Sequence, residues 1–411
     1  MKLSMFYRYL LAFAVVFGLL LGTFGELAFA QSRRQPPSSN QKKNKRPSET
    51  TKEAENQEPL PPDLVGKPQD AEKITITTQR VNVDAVVYHK KSGQIVNGLK
   101  KENFALFVDG APMPITNFST PEAPITVTMV VEYSKWSEMF GYFGSGGYDP
   151  GTYEVIRPTA MFLSQFIKPE DYVSVVAFDL RPTPLTDFTN DPQRINSVIS
   201  LLLRNYPAFR ETNLFDALKF TLIGGRGDSV VLENSEARTA EYSGMVAIQG
   251  RRRAVILIAS GIDTFSKINY GDARKILQNA GIPVYIIGTA NLFFKKYGDR
   301  LGAVDGLDGM PGRMTFLQAD NTLKTFAKET GGAYYPVTFE GELPKVLGSI
   351  NALLRSQYSL AFNPGDVRDG KQHKIKVSID VNGDGTYDDK EYVIQARSVY
   401  NAPKPDGKKS E

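Results

Sequence analysis

Along the middle of the chain, short and almost wholly apolar runs alternate with stretches of helical character. The runs are 125–131, 173–178, 254–259 and 283–288. A run with no polar alternation suits a strand covered on both faces, as in a parallel sheet with helices on each side. The stretches 153–167, 212–223, 272–280, 321–330 and 342–355 read as helices, and Gly281 and Gly331-Gly332 supply stop signals. Tyr334-Tyr335 reads as a short edge strand. Strand and helix in alternation predict an α/β fold, a doubly wound and mainly parallel sheet. Ligands on such sheets bind beyond the carboxyl ends of the strands. Two long connections, 224–250 and 291–318, read as loops, and loops of that length are commonly functional or disordered.

The texture differs on either side. Val81, Val83, Ala85 and Val87 alternate, Ser92-Gly93 marks a turn, and Phe104, Leu106 and Val108 lead into Asp109-Gly110. Alternation returns at Tyr358, Leu360 and Phe362, at Ile375, Val377, Ile379 and Val381, and at Tyr392, Ile394 and Ala396. The reading is an N-terminal β unit over 73–120, an α/β domain over 121–355 and a C-terminal β unit over 356–402. The two β units are expected to join into one small sandwich. Residues 31–72 are rich in Gln, Lys, Asn, Pro, Ser and Glu, and cannot bury enough apolar surface to offset their ordering entropy. They read as a disordered linker, and 403–411 as a flexible tail.

Residues 1–30 set the expected compartment. Lys2 and Arg8 precede an uncharged apolar stretch over 10–21, and Ala28-Phe29-Ala30 has the small-x-small pattern of a cleavage site before Gln31. This reads as a signal peptide, and the protein as exported to the periplasm, the cell surface or the medium. An uncleaved anchor is the alternative. The chain has no cysteine, which excludes disulfides, thiolate metal ligands and a cysteine nucleophile. The net charge of +4 is small and gives no reason to expect a nucleic-acid partner. Membrane contact is expected only through the signal segment or the basic start of the linker.

An ordered set of phrases carries a resemblance. It runs through Val96-Asn97-Gly98-Leu99, Phe107-Val108-Asp109-Gly110, Glu211-Thr212-Asn213-Leu214-Phe215-Asp216, Ile258-Ala259-Ser260-Gly261-Ile262-Asp263 and Ala327-Lys328-Glu329-Thr330-Gly331-Gly332 to Leu354-Arg355-Ser356-Gln357-Tyr358. Over about residues 75–400 the chain resembles bacterial secreted proteins with a diverged von Willebrand factor type A (VWFA) domain. The resemblance implies a Rossmann-like sheet with a metal-ion-dependent adhesion site on top. In that site an Asp-x-Ser-x-Ser loop, a Thr and a second Asp give hard oxygen ligands suited to magnesium. Here the positions are Glu132, Ser134, Thr212 and Ser260, with Trp136 at the second serine and Ser137 one residue late. Losing one of two carboxylates should weaken binding of a doubly charged ion severely. The site is therefore expected to be degenerate, with magnesium weak or absent. Asp263 could substitute only if its loop turns back.

Tyr133, Trp136, Phe140 and Tyr142 stand in an aromatic, glycine-punctuated stretch after the first core strand. Two readings apply: a partner-binding rim for protein or glycan, or rings that simply cover the sheet's end. Arg226-Gly227-Asp228 is short enough to occur by chance. No nucleophile elbow or phosphate loop occurs, and the two histidines, His89 and His373, lie in the β segments. The expectation is a non-catalytic adhesion or scaffolding module. A structural assembly factor of the cell envelope and an unrecognised hydrolase are the alternatives.

One further motif stands apart. Asp380, Asn382, Asp384, Gly385 and Glu391 fit Asp-x-[Asp/Asn]-x-[Asp/Asn]-Gly-x5-Glu at every fixed position. Thr386 would offer its carbonyl and Asp388 a direct or water-bridged oxygen. The flanks read as strands, so the expectation is a structural calcium ion capping a hairpin. A solvated acidic turn is the alternative.

Overall fold

The computed structural model describes residues 80–121, 123–137, 153–204, 207–226, 241–248, 252–365 and 367–403. The signal segment, the linker, Phe140, Tyr142, Gly227 and Asp228 lie outside them.

The central sheet has six strands: β5 (Ile125–Glu132), β6 (Tyr172–Phe178), β7 (Pro182–Thr189), β10 (Arg252–Ala259), β11 (Val284–Gly288) and β12 (Tyr334–Pro336). Their order is β12-β11-β10-β5-β6-β7, and β8 (Gly225–Arg226) and β9 (Glu241–Tyr242) pair with each other outside this sheet. All neighbouring pairs are parallel except β6 with β7. Every residue of β5 and β6 is buried, which accounts for their continuous apolar runs. Alternate side chains serve opposite faces. Val127, Met129 and Val131 pack with α1 (Tyr153–Gln165), α2 (Pro192–Arg204) and α7 (Leu343–Arg355). Val130, Val255, Leu257 and Ile286 pack with α3 (Leu214–Ile223), α4 (Tyr270–Ala280) and α6 (Arg313–Thr330).

Three elements depart from the sequence reading. Pro182 and Pro184 sit in β7, where an edge strand tolerates proline. Ile195, Val198 and Leu202 form the buried stripe of α2, which the reading did not anticipate. The connection read as a loop over 291–318 holds α5 (Asn291–Tyr297) and the start of α6.

The flanking segments form two four-stranded antiparallel sheets. In one, β1 (Val81–His89) lies between β15 (Tyr392–Ala396) and β13 (Tyr358–Phe362), and β13 also pairs with β4 (Ile115–Ser119). In the other, β14 (Gln372–Ile379) lies between β16 (Val399–Asn401) and β2 (Phe104–Val108), with β3 (Ala111–Met113) outermost. Val83, Ala85, Leu106, Tyr358, Phe362 and Ile379 share one core between them. The sandwich meets the α/β domain through buried polar contacts. Arg397 donates to the Gln278 carbonyl as well as to that of Asn82 within the sandwich, and Gln395 Nε2 donates to those of Gly331 (3.1 Å) and Gly332 (2.9 Å). Gly331 caps α6 at φ 81°, and a Cβ there would meet the Arg397 backbone nitrogen at 2.6 Å.

Candidate functional site

The carboxyl ends of β5 and β10 sit side by side, since Ile258 is in register with Val131. Glu132 closes β5 and Ser260 follows β10, so the two side chains meet where this sheet reverses its winding. Glu132 is fully buried. Its Oε1 accepts the Ser134 hydroxyl at 2.9 Å. Its Oε2 accepts both the backbone N–H and the hydroxyl of Ser260, each at 2.7 Å. Ser134 is held in turn by the amides of Trp136 (3.2 Å) and Ser137 (3.4 Å). Burial pushes the Glu132 carboxyl above its ordinary range, against the pull of these donors.

Thr212 is buried beside this cluster but does not join it. Its hydroxyl donates to the Ile262 carbonyl at 2.7 Å, and its carbonyl accepts the amides of Thr264 and Phe265. It clips the third loop down. Asp263 turns away, accepting from Ser266 and from the Phe215 amide at the start of α3. The structure thus joins Glu132, Ser134 and Ser260, and leaves Thr212 and Asp263 on other partners. The longer Glu side chain explains this: it reaches across the space between the strand ends and bonds the opposite loop.

Tyr133 and Trp136 require a correction. They do not form an exposed rim, because they are 3% and 4% exposed. The Tyr133 hydroxyl donates to the Leu202 carbonyl at 2.6 Å. Trp136 packs with Ile262, Ala290, Phe293 and Phe316, and Arg210 lies over its ring at 5.6 Å. Phe293 and Phe316 come from α5 and α6, so the helices that bury the indole lie in the stretch read as a loop. Phe140 and Tyr142 are outside the described residues.

The exposed apolar side chains at this end come from other loops and from the start of α6. Phe209, Phe265, Val304, Leu307, Met314 and Leu317 are all exposed. Phe209 and Phe265 are tied to the sheet top through Lys135 and Thr212, and the 301–312 loop through Arg210 and Asp308. Asp179, at the end of β6, is a buried acid that the sequence reading missed. Burial pushes it up to about 6, opposed by amides of its own loop. Its only sequence signal is an acid placed directly after a buried strand.

In the Asp380–Glu391 loop, Asp380 is the hub. It accepts the amides of Gly383 (2.7 Å), Asp384 (3.2 Å) and Gly385 (2.8 Å). Gly383 and Gly385 take φ of 77° and 86°, as the expected tight turn requires. Asn382 bonds Asp384, Thr386 N–H donates to Asp384, and Asp388 accepts the Val381 amide. Among the described residues, no three acidic or histidine side chains gather closely enough to hold a metal. Asp380, Asn382 and Asp384 share one turn, while Asp388 and Glu391 do not close a shell around it.

No family model matches the chain, and no curated protein does. Several solved structures are similar to it. An aerotolerance-related membrane protein from Bacteroides fragilis has 15% identity over 56% of this chain and 98% of its own, with a TM-score of 0.36. The PilB minor pilin from Streptococcus sanguinis has 13% identity, covering 59% and 63%, with a TM-score of 0.38. The vWF domain of the type V pili tip protein Mfa5 from Porphyromonas gingivalis has 14% identity, covering 57% and 96%, with a TM-score of 0.34. With strand order β12-β11-β10-β5-β6-β7, mainly parallel and covered by helices on both faces, the chain carries a VWFA-like α/β domain.

Proposed function

We propose that the protein is an exported, non-catalytic binding module that engages a protein partner through the sheet-top loops of its VWFA-like domain. The observation that carries this reading is the set of exposed apolar side chains at that end, Phe209, Phe265, Val304, Leu307, Met314 and Leu317. Large apolar side chains gathered at one end of a domain mark an interaction surface. The flanking sandwich, joined to the domain through Arg397 and Gln395, serves as a stiff base. Glu132 spends both oxygens on Ser134 and Ser260, so recognition runs through these side chains and not through a bound magnesium ion. Among the described residues no helix is long and apolar enough to cross a membrane. Attachment, where it occurs, is through the partner or the N-terminal segment. A photo-crosslinking residue at Phe265 or Leu307 should give discrete adducts in envelope preparations, and one at Val367 on the sandwich should not. Equal labelling from all three positions would remove the reading.

A further inference from the structure

Beside the Glu132 cluster, a cleft of about 210 Å³ opens between the ends of β10 and β11 and helices α5 and α6. Its walls are Phe294, Phe316, Leu317 and Pro336. The rings of Phe294 and Phe316 stack with centroids 5.3 Å apart. Its polar end holds Asn291, Asp320 and Lys324. The Tyr334 hydroxyl donates to Asp320 Oδ1 at 2.6 Å, Asn291 Nδ2 donates to the same oxygen at 3.1 Å, and Lys324 Nζ donates to Oδ2 at 2.6 Å. A glycine makes room for this cluster: a Cβ on Gly288 would meet Asn291 Oδ1 at 2.3 Å and the Tyr334 hydroxyl at 2.8 Å. The cleft lies beyond the carboxyl ends of parallel strands, the general position for ligands in such folds.

The hydrogen-bond balance says what fits. Asp320 Oδ1 already accepts two hydrogen bonds and Oδ2 accepts that of Lys324, so most of the carboxylate's acceptor capacity is taken. Lys324 uses one of three N–H groups and its side chain is 58% exposed, so donors remain. The free Lys324 donors favour a ligand that brings an anionic acceptor to the polar end and an apolar body to the phenyl walls. The volume is below the usual range of about 300–1,000 Å³ for small-molecule pockets, and suits a single side chain. We infer that this cleft is an anchor pocket for a partner peptide that presents an aromatic or large apolar side chain next to a carboxylate. Anchor side chains in such pockets carry a large share of interface energy. This inference rests on the sheet-top reading and gives its partner a chemistry.

The only tryptophan in the chain is a built-in reporter. Trp136 belongs to the same buried cluster as Ala290 and Phe316, both of which line the cleft. Titration of the mature protein with 3-phenylpropionate should give a saturable change in Trp136 emission. 3-Phenylpropanol, with the same ring and no carboxylate, should bind about tenfold more weakly, the value of one charge-assisted hydrogen bond. Lys324→Met should keep the wild-type melting temperature, since the side chain is exposed, and should lose the preference for the acid. A flat titration of the wild type overturns the inference, and so does a Lys324→Met protein that still prefers the acid tenfold. Crosslinks at Phe265 and Leu307 are an independent measurement. If they form while the titration is flat, the anchor pocket fails and the sheet-top reading stands.

Discussion

Replacing Glu132 with alanine or glutamine separates a structural lock from a metal ligand. In Glu132→Ala the Ser260 N–H loses its acceptor in a fully buried place, and two serine hydroxyls must find new ones. An unsatisfied buried donor costs about 1–3 kcal/mol. The cavity left by the side chain adds a comparable amount, so the total is about 2–6 kcal/mol. Glu132→Gln keeps the shape and one strong acceptor for Ser260, and its amide N–H can face Ser134 once that hydroxyl turns. It should lie within about 1 kcal/mol of the wild type at neutral pH. The pH dependence has a definite sign. Burial raises the Glu132 carboxyl, so the folded protein keeps this proton to higher pH than the unfolded chain does. The associated stabilisation is complete below the unfolded value and is lost as pH rises through the folded value. The stability of the wild type relative to Gln should therefore fall as pH climbs from acid to neutral. Urea unfolding of the three proteins at several pH values measures this. An alanine variant within about 1 kcal/mol of the wild type, or a wild type that gains on Gln as pH rises, would rule out Glu132 as a buried lock between the strand ends.

Magnesium at low millimolar concentration should move the melting temperature little, in the wild type and in Thr212→Ala alike. Calorimetry showing tight binding that vanishes in Thr212→Ala would contradict this. Calcium is proposed to bind the Asp380–Glu391 loop, drawing Asp388 and Glu391 toward Asp380. It should raise the melting temperature and protect the loop from proteolysis, and Glu391→Gln should remove both effects. Identical melting curves in calcium and in chelator would end the proposal. His373 Nδ1 meets Asp109 at 2.7 Å and Nε2 meets Asp369 at 3.1 Å, and the two carboxylates, Asp109 first, raise its pKa. Its contribution is present below the ordinary histidine range and lost as pH rises through the raised value, and His373→Gln should flatten that limb of the stability profile. N-terminal sequencing of protein recovered outside the cytoplasm should start at or near Gln31, whereas a chain still beginning at Met1 in the membrane would favour an anchor.

The sheet was legible because both of its faces are covered, so β5, β6, β10 and β11 print continuous apolar runs. β7 was not, since Pro182 and Pro184 signal a break everywhere except at an edge. The sequence reading found Glu132, Ser134 and Ser260, but counted the glutamate as the one carboxylate left for a metal. Only the geometry shows its carboxylate spanning the gap to bond the facing loop. The error over Trp136 follows from the error over 291–318. Gly298, Gly302, Gly306, Gly309 and Gly312 pointed to a loop, and they hid the helices that bring Phe293 and Phe316 over the indole. The anchor cleft was hidden for the same reason. Asn291, Asp320 and Tyr334 meet only once α5 and α6 are in place.

The strand pairings of the sandwich also order events in time. Val81 lies opposite Phe362, and Phe104 opposite Ile379, so neither sheet can close until the last strands have been made. Contacts this distant in sequence form slowly, because a long loop must be closed before they stabilise anything. The central domain can condense as it emerges, while β1 and β2 wait for partners near the far terminus. For a chain that is exported as proposed, a fold completed only at its end stays unfinished during synthesis. Loss of the final forty residues would remove β14, β15 and β16, leaving β1 paired with β13 alone and β2 with β3 alone.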